Sequence, residues 1–345
     1  MAKERLGYSR VNKSPVTILH YISFAMDKPV ITEIANNIVV IDTHFHRDRF
    51  CASHLIRENG KAAFIDVGSA VSIPYLLRAL DKLNLHTSDV RYIMLTHIHL
   101  DHAGGAGILM EHCPNAHLWV HSKGLRHMVN PEKLISASKS VYGETRFSQM
   151  YGHIPTIPSE KVSPMKDGMI IDFEGRELHV MDTPGHAQHH CCIRDPKSNG
   201  IFVGDTMGMA YPELQVTGHP PFQIPITSPA AFDPHALEKS INRLQSMNPS
   251  LYYIAHFGPI PAHSESVQSL QSLIRQHLEI GRVMDDDTNY ATIVPQLRDL
   301  YYQAYCSQPG RIMDQEQFNH VLEFDLDLNA QGLAVWAARQ RAAGD

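Results

Sequence analysis

The segment Thr96-His97-Ile98-His99-Leu100-Asp101-His102-Ala103-Gly104-Gly105 places three imidazoles and one carboxylate within six positions. It directly follows the apolar run Tyr92-Ile93-Met94-Leu95, which predicts a buried strand that ends where the cluster begins. Nitrogen and oxygen donors packed in this way suit zinc or a similar borderline metal. The glycine pair lets the backbone turn tightly beneath an ion before a helix starts. The segment therefore predicts a metal site at the end of a strand.

Three further apolar segments each lead into a side chain that can bind a metal. Residues 178–181 precede the turn that carries His186, residues 201–204 lead into Asp205, and residues 252–255 lead into His256. Donors at the ends of neighbouring strands meet at one edge of a sheet, where rigid elements can hold an active site. With the first cluster, the candidate metal ligands are His97, His99, Asp101, His102, His186, Asp205 and His256.

This donor set resembles that of the metallo-β-lactamase superfamily of dinuclear metallohydrolases, and of its glyoxalase II-like and lactonase-like members in particular. The resemblance covers about residues 30–260, includes the similar first motif Phe64-Ile65-Asp66-Val67-Gly68, and matches all seven ligand positions. It implies an α/β fold, the αββα four-layer sandwich, with a C-terminal helical extension in this chain. The ligands that it implies for one ion are His97, His99 and His186. Those that it implies for the second ion are Asp101, His102 and His256, with Asp205 bridging the two.

Two neighbouring cations would lower the pKa of a shared water and give a bridging hydroxide that attacks the substrate. Asp101 is in addition the candidate catalytic residue, because it could hydrogen-bond this hydroxide and pass the proton to the leaving group. The sequence has no Gly-x-Ser-x-Gly nucleophile elbow, and this chemistry needs none. The expected cofactors are two divalent metal ions, with zinc first and iron or manganese as alternatives.

Departures from individual relatives narrow the expected reaction. β-Lactamases of the superfamily often carry a cysteine or serine where this chain has Asp205, and the persulfide dioxygenases use only one metal. Glyoxalase-type thioesterases have the aspartate but also a basic tail that is not recognisable here. We therefore predict hydrolysis of a small ester, thioester or lactone. The alternatives are a phosphodiesterase, a low-turnover ligand-binding regulatory protein and an iron-dependent oxidoreductase.

Composition limits the partners. The chain has 30 Lys and Arg against 36 Asp and Glu, a net charge of −6, and no long basic run, so we expect a small-molecule substrate and no nucleic acid. No apolar run reaches the length of a membrane span, and the short segment Val16–Phe24 is interpreted as structure rather than a signal peptide. Five cysteines without a Cys-x-x-Cys pair favour reduced thiols and a cytoplasmic location.

The pattern of apolar residues predicts the organisation of the chain. Residues 1–262 are predicted to form the catalytic domain, and residues 263–345 a helical cap or dimerisation region, with a homodimer as the expected partner. The Gly- and Pro-rich connection 206–232 is predicted to be a binding loop. Predicted strands span 37–42, 53–58, 62–66, 92–96, 116–120, 169–173, 177–182, 190–194, 201–204 and 251–255. Predicted helices span 71–84, 104–112, 131–150, 233–247, 264–284, 289–306 and 314–340.

Three further residues are candidates for supporting roles. Asp66, in the first motif, is a buried acid that could orient a histidine ligand through its free ring nitrogen. His190 follows His186 closely and is expected beside the ligands rather than among them. Tyr211 lies in the loop 208–214 and could donate a hydrogen bond to a substrate oxygen.

Overall fold

The computed structural model describes residues 31–227, 231–284 and 289–343, so the segment Val16–Phe24 lies outside the described residues. The strands are β1 Ile31–Ile34, β2 Ile38–Asp42, β3 Ala52–Glu58, β4 Lys61–Ile65, β5 Val90–Leu95, β6 His117–His121, β7 Val162–Met165, β8 Ile170–Phe173, β9 Arg176–Asp182, β10 Cys191–Asp195, β11 Gly200–Met209, β12 Leu251–His256 and β13 Gly258–Pro261. The α-helices are α1 Ile73–Lys82, α2 Leu100–Ala103, α3 Ala106–His112, α4 Leu125–Val129, α5 Glu132–Tyr142, α6 Glu144–Tyr151, α7 Pro234–Ser246, α8 Ser264–Arg282, α9 Val294–Cys306 and α10 Gln315–Ala343.

The strands form two mixed sheets. The first has seven strands in chain order, antiparallel from β1 to β4 and parallel from β4 to β7. The second has six strands in the order β13-β12-β11-β10-β9-β8, with the one parallel pair between β11 and β12. Parallel pairing of β4 with β5 and of β11 with β12 sends the C-terminal ends of these strands to one edge, where the predicted donors lie.

The hydrophobic core has three parts that define four layers. Residues from both sheets, such as Met94 and Phe202, pack face to face between the sheets. Leu76 of α1 and Leu109 of α3 pack on the outer face of the first sheet. Helix α7 and the C-terminal helices α8 to α10 cover the outer face of the second sheet. This arrangement confirms the predicted αββα sandwich with a C-terminal helical region.

The structure corrects several predicted boundaries. The single helix predicted over 131–150 is two helices, α5 and α6, because Gly143 between them has a φ of 77° and ends the first. Strand β11 continues to Met209, so the connection predicted over 206–232 begins four residues later. Strands β1, β7 and β13 were not predicted. All three lie at sheet edges, where strands are short and proline is tolerated.

The three C-terminal helices pack against one another and against the sandwich. Leu273 of α8, Tyr301 of α9 and Leu333 of α10 are buried in the same cluster as Ile254 of β12. The predicted division into a catalytic domain and a separate helical region stays a prediction. None of the helices in the described part of the chain is long and apolar enough to cross a membrane.

Candidate metal centre

The seven predicted ligands converge at one edge of the sandwich. His97 and His99 follow the end of β5, and Asp101 and His102 lie in the short helix α2 that comes next. His186 lies in the loop between β9 and β10, and His256 is the last residue of β12. Asp205 lies within β11 rather than at its end.

Gly204 explains how β11 delivers Asp205. Its φ of 47° lies in the left-handed region, and the pairing of β11 with β12 shifts register at this position. A Cβ atom here would come within 2.6 Å of the His190 Nε2 and Thr96 Oγ1 atoms. Only glycine therefore lets the strand bend against the histidine cluster and turn the Asp205 carboxylate into it.

Four donors form what we call the first donor set: His97, His99, His186 and the Oδ2 atom of Asp205. The His99 Nδ1 atom lies 3.1 Å from His97 Nε2 and 2.9 Å from His186 Nε2. Asp205 Oδ2 lies 3.3 Å from His186 Nε2 and 3.7 Å from His97 Nε2. Donor atoms of these four residues all lie within 4.8 Å of one another.

Asp101, His102, His256 and the Oδ1 atom of Asp205 form the second donor set. The two imidazoles face each other with their Nε2 atoms 3.3 Å apart. Asp101 Oδ2 lies 3.2 Å from His102 Nε2 and 3.5 Å from His256 Nε2. Asp205 Oδ1 lies 3.4 Å and 3.7 Å from the same two nitrogens. The two oxygens of Asp205 thus face different donor sets.

Hydrogen bonds fix which ring nitrogens are free to bind a cation. His97 Nδ1 donates to the Thr96 hydroxyl at 3.1 Å, His186 Nδ1 to the Ile226 carbonyl at 3.3 Å, and His256 Nδ1 to the Phe50 carbonyl at 3.1 Å. Since the second nitrogen of each ring holds the proton, the converging Nε2 atoms present lone pairs. Lone pairs that face one another at these distances repel unless a cation lies between them.

The electrostatics of the cluster also favour cations. Burial holds the pKa of His97 and of His99 well below the ordinary value, so both rings are neutral. Burial would raise the pKa of Asp205, but the neighbouring imidazoles, His102 first, hold it far below its usual range. The carboxylate therefore stays ionised, yet its buried Oδ1 atom has no hydrogen-bond partner among the described residues. Neutral imidazoles such as His97 and His99 beside the ionised Asp205 are donors that fit a divalent metal ion.

Two of the predicted supporting residues lie directly behind the ligands. Asp66 accepts hydrogen bonds from the Thr96 amide at 2.8 Å and the Thr96 hydroxyl at 2.7 Å. Its carboxylate thus reaches His97 through Thr96 and lies 4.0 Å from His102 Nδ1, which exceeds a hydrogen bond. His190 Nε2 accepts from the Asp205 amide at 3.2 Å, so this ring supports the backbone of the shared ligand.

Tyr211 is buried beside the cavity over the donor sets and is not part of the cavity lining. Its side chain is fully buried, and its hydroxyl donates to the Oδ1 atom of Asp325 at 3.0 Å. Asp325 itself lines the adjoining cavity, and in the described part of the chain its Oδ2 atom has no hydrogen-bond partner. Burial raises the pKa of Asp325 to about 7, so near neutral pH its carboxyl can be protonated and act as a donor.

A cavity of about 320 Å³ opens over the donor sets and is lined mainly by apolar side chains. His99, Asp101, His186, Asp205 and His256 contribute its polar wall. The apolar residues come from several parts of the chain, and examples are Phe45, Phe50, Leu134, Val141, Phe324 and Leu328. Helix α10, part of the predicted helical cap, thus contributes directly to the cavity, although no local sequence pattern indicated which of its residues do so.

Cys51 is one of the residues near the site that sequence reasoning missed. Its buried Sγ atom lies 3.5 Å from His256 Nδ1, 3.8 Å from His256 Nε2 and 3.9 Å from Asp101 Oδ2. Without a cation, burial and the nearby carboxylates raise the pKa of this thiol. In the sequence, Cys51 stands directly before strand β3 and next to Phe50, the aromatic residue that contacts His256.

Comparison with known proteins agrees with this geometry. The sequence model of the metallo-beta-lactamase superfamily matches residues 46–256. The metallo-beta-lactamase fold-containing protein ST1585 of Sulfurisphaera tokodaii is 25% identical over 221 residues, which are 63% of this chain and 76% of that protein. The atrochrysone carboxyl ACP thioesterase of Aspergillus fumigatus is 21% identical over 247 residues, 72% of this chain but 45% of the thioesterase.

Among solved structures, the metallo-beta-lactamase family protein TTHA1429 of Thermus thermophilus superposes with a TM-score of 0.59 at 20% identity. The superposition covers 91% of this chain and 92% of TTHA1429, so it extends beyond the sandwich. Because the family match spans more than half of the chain, the chain belongs to the metallo-beta-lactamase superfamily.

Proposed function

We propose that this member of the metallo-beta-lactamase superfamily is a two-metal hydrolase of a small ester, thioester or lactone that carries an apolar group. The observation that carries the proposal is the position of Asp205, whose two oxygens face two separate sets of donors. In this proposal the first donor set holds one ion, the second donor set holds the other, and Asp205 is shared. Zinc is the first candidate for both ions, with iron or manganese as alternatives.

Two bound cations would lower the pKa of a water that they share and polarise the carbonyl oxygen of a bound substrate. The residues of the chain supply the rest. Asp101 lines the cavity, and its carboxylate is the proton carrier between the nucleophile and the leaving group. Thr96, the Ile226 carbonyl and the Phe50 carbonyl hold three histidine rings in fixed orientations, which keeps the donor atoms in place before an ion binds.

The cavity supports a carbonyl substrate over a phosphodiester. Its volume of about 320 Å³ suits a small molecule, and most of its wall is apolar. An acyl chain or an aromatic ring would exclude water from this wall, whereas a phosphodiester would bring a further charge against it. Asp325 offers one polar group on the apolar side, where it can accept or donate a hydrogen bond. The similarity to the thioesterase of Aspergillus fumigatus supports including thioesters among the test substrates.

The test is a substrate panel on the full chain loaded with zinc. It consists of p-nitrophenyl esters of increasing acyl length, lactones, acyl thioesters and bis-p-nitrophenyl phosphate. We expect metal-dependent hydrolysis of at least one carbonyl substrate and its loss in Asp205→Asn. Asp81→Asn, an exposed carboxylate of α1, is the matched control and should keep full activity. Hydrolysis of the phosphodiester alone would replace the proposal by a phosphodiesterase, and no turnover with both ions bound would favour a binding protein.

A further inference from the structure

A second groove adjoins the cavity over the donor sets, and we call it the cationic groove. Three of its lining residues, Lys123, Arg126 and Lys166, carry positive charges and are exposed. The groove shares His127 and His189 with the cavity. No aspartate or glutamate from the described part of the chain lines it, and its other lining residues are Ser122, Leu125, Pro164 and Gln188. A ligand that extends from the cavity into this groove therefore meets positive charge.

The charge of the cationic groove is opposite to that of the whole chain. The chain carries 36 Asp and Glu against 30 Lys and Arg, a net charge of −6. The groove has three cations among nine lining residues and no carboxylate from the described ranges. A local excess of one charge attracts ligands of the opposite charge and raises their concentration at the surface. The groove is therefore suited to an anionic ligand.

Two of the groove cations are held by neutral partners. Lys123 Nζ donates to the side-chain oxygen of Gln188 at 3.1 Å, and Arg126 Nε donates to His127 Nε2 at 3.1 Å. Burial, followed by the charges of Arg126 and Lys133, lowers the pKa of His127, so this ring is neutral at neutral pH. Because neutral partners do not cancel a charge, Lys123 and Arg126 keep theirs for a ligand.

The carboxylates close to the groove in sequence or space have partners of their own. Asp167 follows Lys166 in the chain but forms an ion pair with the Arg243 guanidinium at 2.7 Å. Asp182 lies 3.1 Å from the Nε2 atom of His121. Both carboxylates are thus engaged outside the groove lining.

His189 connects the cationic groove to the metal centre. Its ring lines both the groove and the cavity, and it lies edge to face with the His99 ring at 5.5 Å between centroids. A substrate whose carbonyl group lies at the donor sets can therefore extend past His189 into the groove.

We propose that the cationic groove binds an anionic group on the alcohol or thiol part of the substrate, while the acyl part occupies the apolar cavity. The substrate class is then an ester or thioester whose leaving group carries a phosphate or a carboxylate. Arg126 can hold such a group with paired N–H donors, and Lys123 and Lys166 add point charges. This inference rests on the proposed hydrolase function, but binding in the groove is measurable without turnover.

Calorimetric binding of thioether analogues to the zinc-loaded full chain tests the proposal, because a thioether is not hydrolysed and has no free thiol. S-hexyl coenzyme A carries phosphates, S-hexylglutathione carries carboxylates, and S-hexyl-N-acetylcysteamine is neutral. We expect one of the anionic analogues to bind about tenfold or more tightly than the neutral one at low ionic strength. Added salt should reduce this difference, and the triple variant Lys123→Gln, Arg126→Gln, Lys166→Gln should abolish it. Lys239→Gln, an exposed lysine of α7, is the matched control and should bind all three analogues as the wild-type chain does.

The wild-type chain alone can overturn the proposal, even if the triple variant folds poorly. Equal affinity for all three analogues would exclude an anion site, and so would a preference for the anionic analogues that the triple variant retains. A preference that the triple variant loses supports the groove, and the preferred analogue identifies phosphate or carboxylate.

The proposed function fails separately. A chain that binds an anionic analogue through the groove but hydrolyses nothing in the substrate panel contradicts the hydrolase. Hydrolysis of a neutral thioester as efficient as that of the coenzyme A and glutathione thioesters of the same acyl group contradicts only the role of the groove.

Discussion

Asn329 connects helix α10 to the loop that supports the first donor set, and its removal has a predictable cost. The side chain is 1% exposed. Its Oδ1 atom accepts from the Thr227 amide at 2.8 Å, and its Nδ2 atom donates to the Pro225 carbonyl at 2.9 Å and to the Tyr301 hydroxyl at 3.0 Å. Replacement by alanine leaves the Thr227 amide, the Pro225 carbonyl and the Tyr301 hydroxyl inside the protein without these hydrogen bonds.

The magnitude follows from these three bonds. Each typical buried hydrogen bond contributes about 1 kcal/mol to stability, so Asn329→Ala should lower the free energy of unfolding by about 3 kcal/mol. A domain is usually stable by only about 5–15 kcal/mol, so this loss is large. Ile226 lies between Pro225 and Thr227, and its carbonyl holds His186. We therefore also expect weaker binding of the ion in the first donor set.

Urea denaturation of the zinc-loaded chain measures the first effect, and titration with a competing chelator measures the second. Gln331→Ala is the matched control on the same helix, because the Gln331 side chain is half-buried and, among the described residues, donates to its neighbour Asp327. This control should change stability by less than about 0.5 kcal/mol. If Asn329→Ala is as stable as Gln331→Ala, the hydrogen bonds do not anchor α10 and the reasoning is wrong.

Two further predictions concern the pH dependence and the cavity. Burial lowers the pKa of His277 to about 3, below its value of about 6.5 in the unfolded chain. The unfolded chain therefore binds one more proton between these pH values, and the free energy of unfolding falls as the pH drops from about 6.5 towards 3. His277→Phe should remove up to about 1.4 kcal/mol per pH unit of this loss, measured by urea denaturation at several pH values. The exposed-site variant His153→Gln is the control. If the free energy of unfolding of His277→Phe changes with pH as steeply as that of His153→Gln, the prediction is wrong. Phe324→Ala should enlarge the cavity and shift kcat/KM towards bulkier acyl groups several-fold, whereas an unaltered chain-length profile would remove Phe324 from the substrate wall.

Much of the sandwich was predictable because its central strands are continuous apolar runs. Strands such as β2, β5 and β12 were predicted to within two residues, since burial on both faces leaves a strong local signal. Edge strands carry a weaker signal. Strand β7 contains Pro164, and β13 contains two prolines, so their composition argues against a strand although their position at the edge permits one.

The ligand-bearing loops were predictable because His97, His99, Asp101 and His102 are adjacent in sequence. The individual residues of the cavity wall were not, because the wall is assembled from segments that are far apart in sequence, such as 45–50, 134–142 and 324–328. Phe324 and Asp325 lie in the middle of α10, where an inward-facing residue looks the same whether it fills a core or lines a pocket. Cys51 was interpreted as one of several reduced thiols, because the sequence does not show that the fold brings it next to Asp101 and His256. The homodimer stays a prediction.

The metal content of the chain is the decisive measurement for a dinuclear site. We expect protein purified without chelator to contain about two equivalents of zinc, iron or manganese combined, measured by elemental analysis. Asp205→Asn should fold but hold fewer ions, because it loses the carboxylate that faces both donor sets. A single equivalent in the wild-type chain that added metal cannot raise, or two retained equivalents in Asp205→Asn with full hydrolysis, would contradict a dinuclear site built around Asp205.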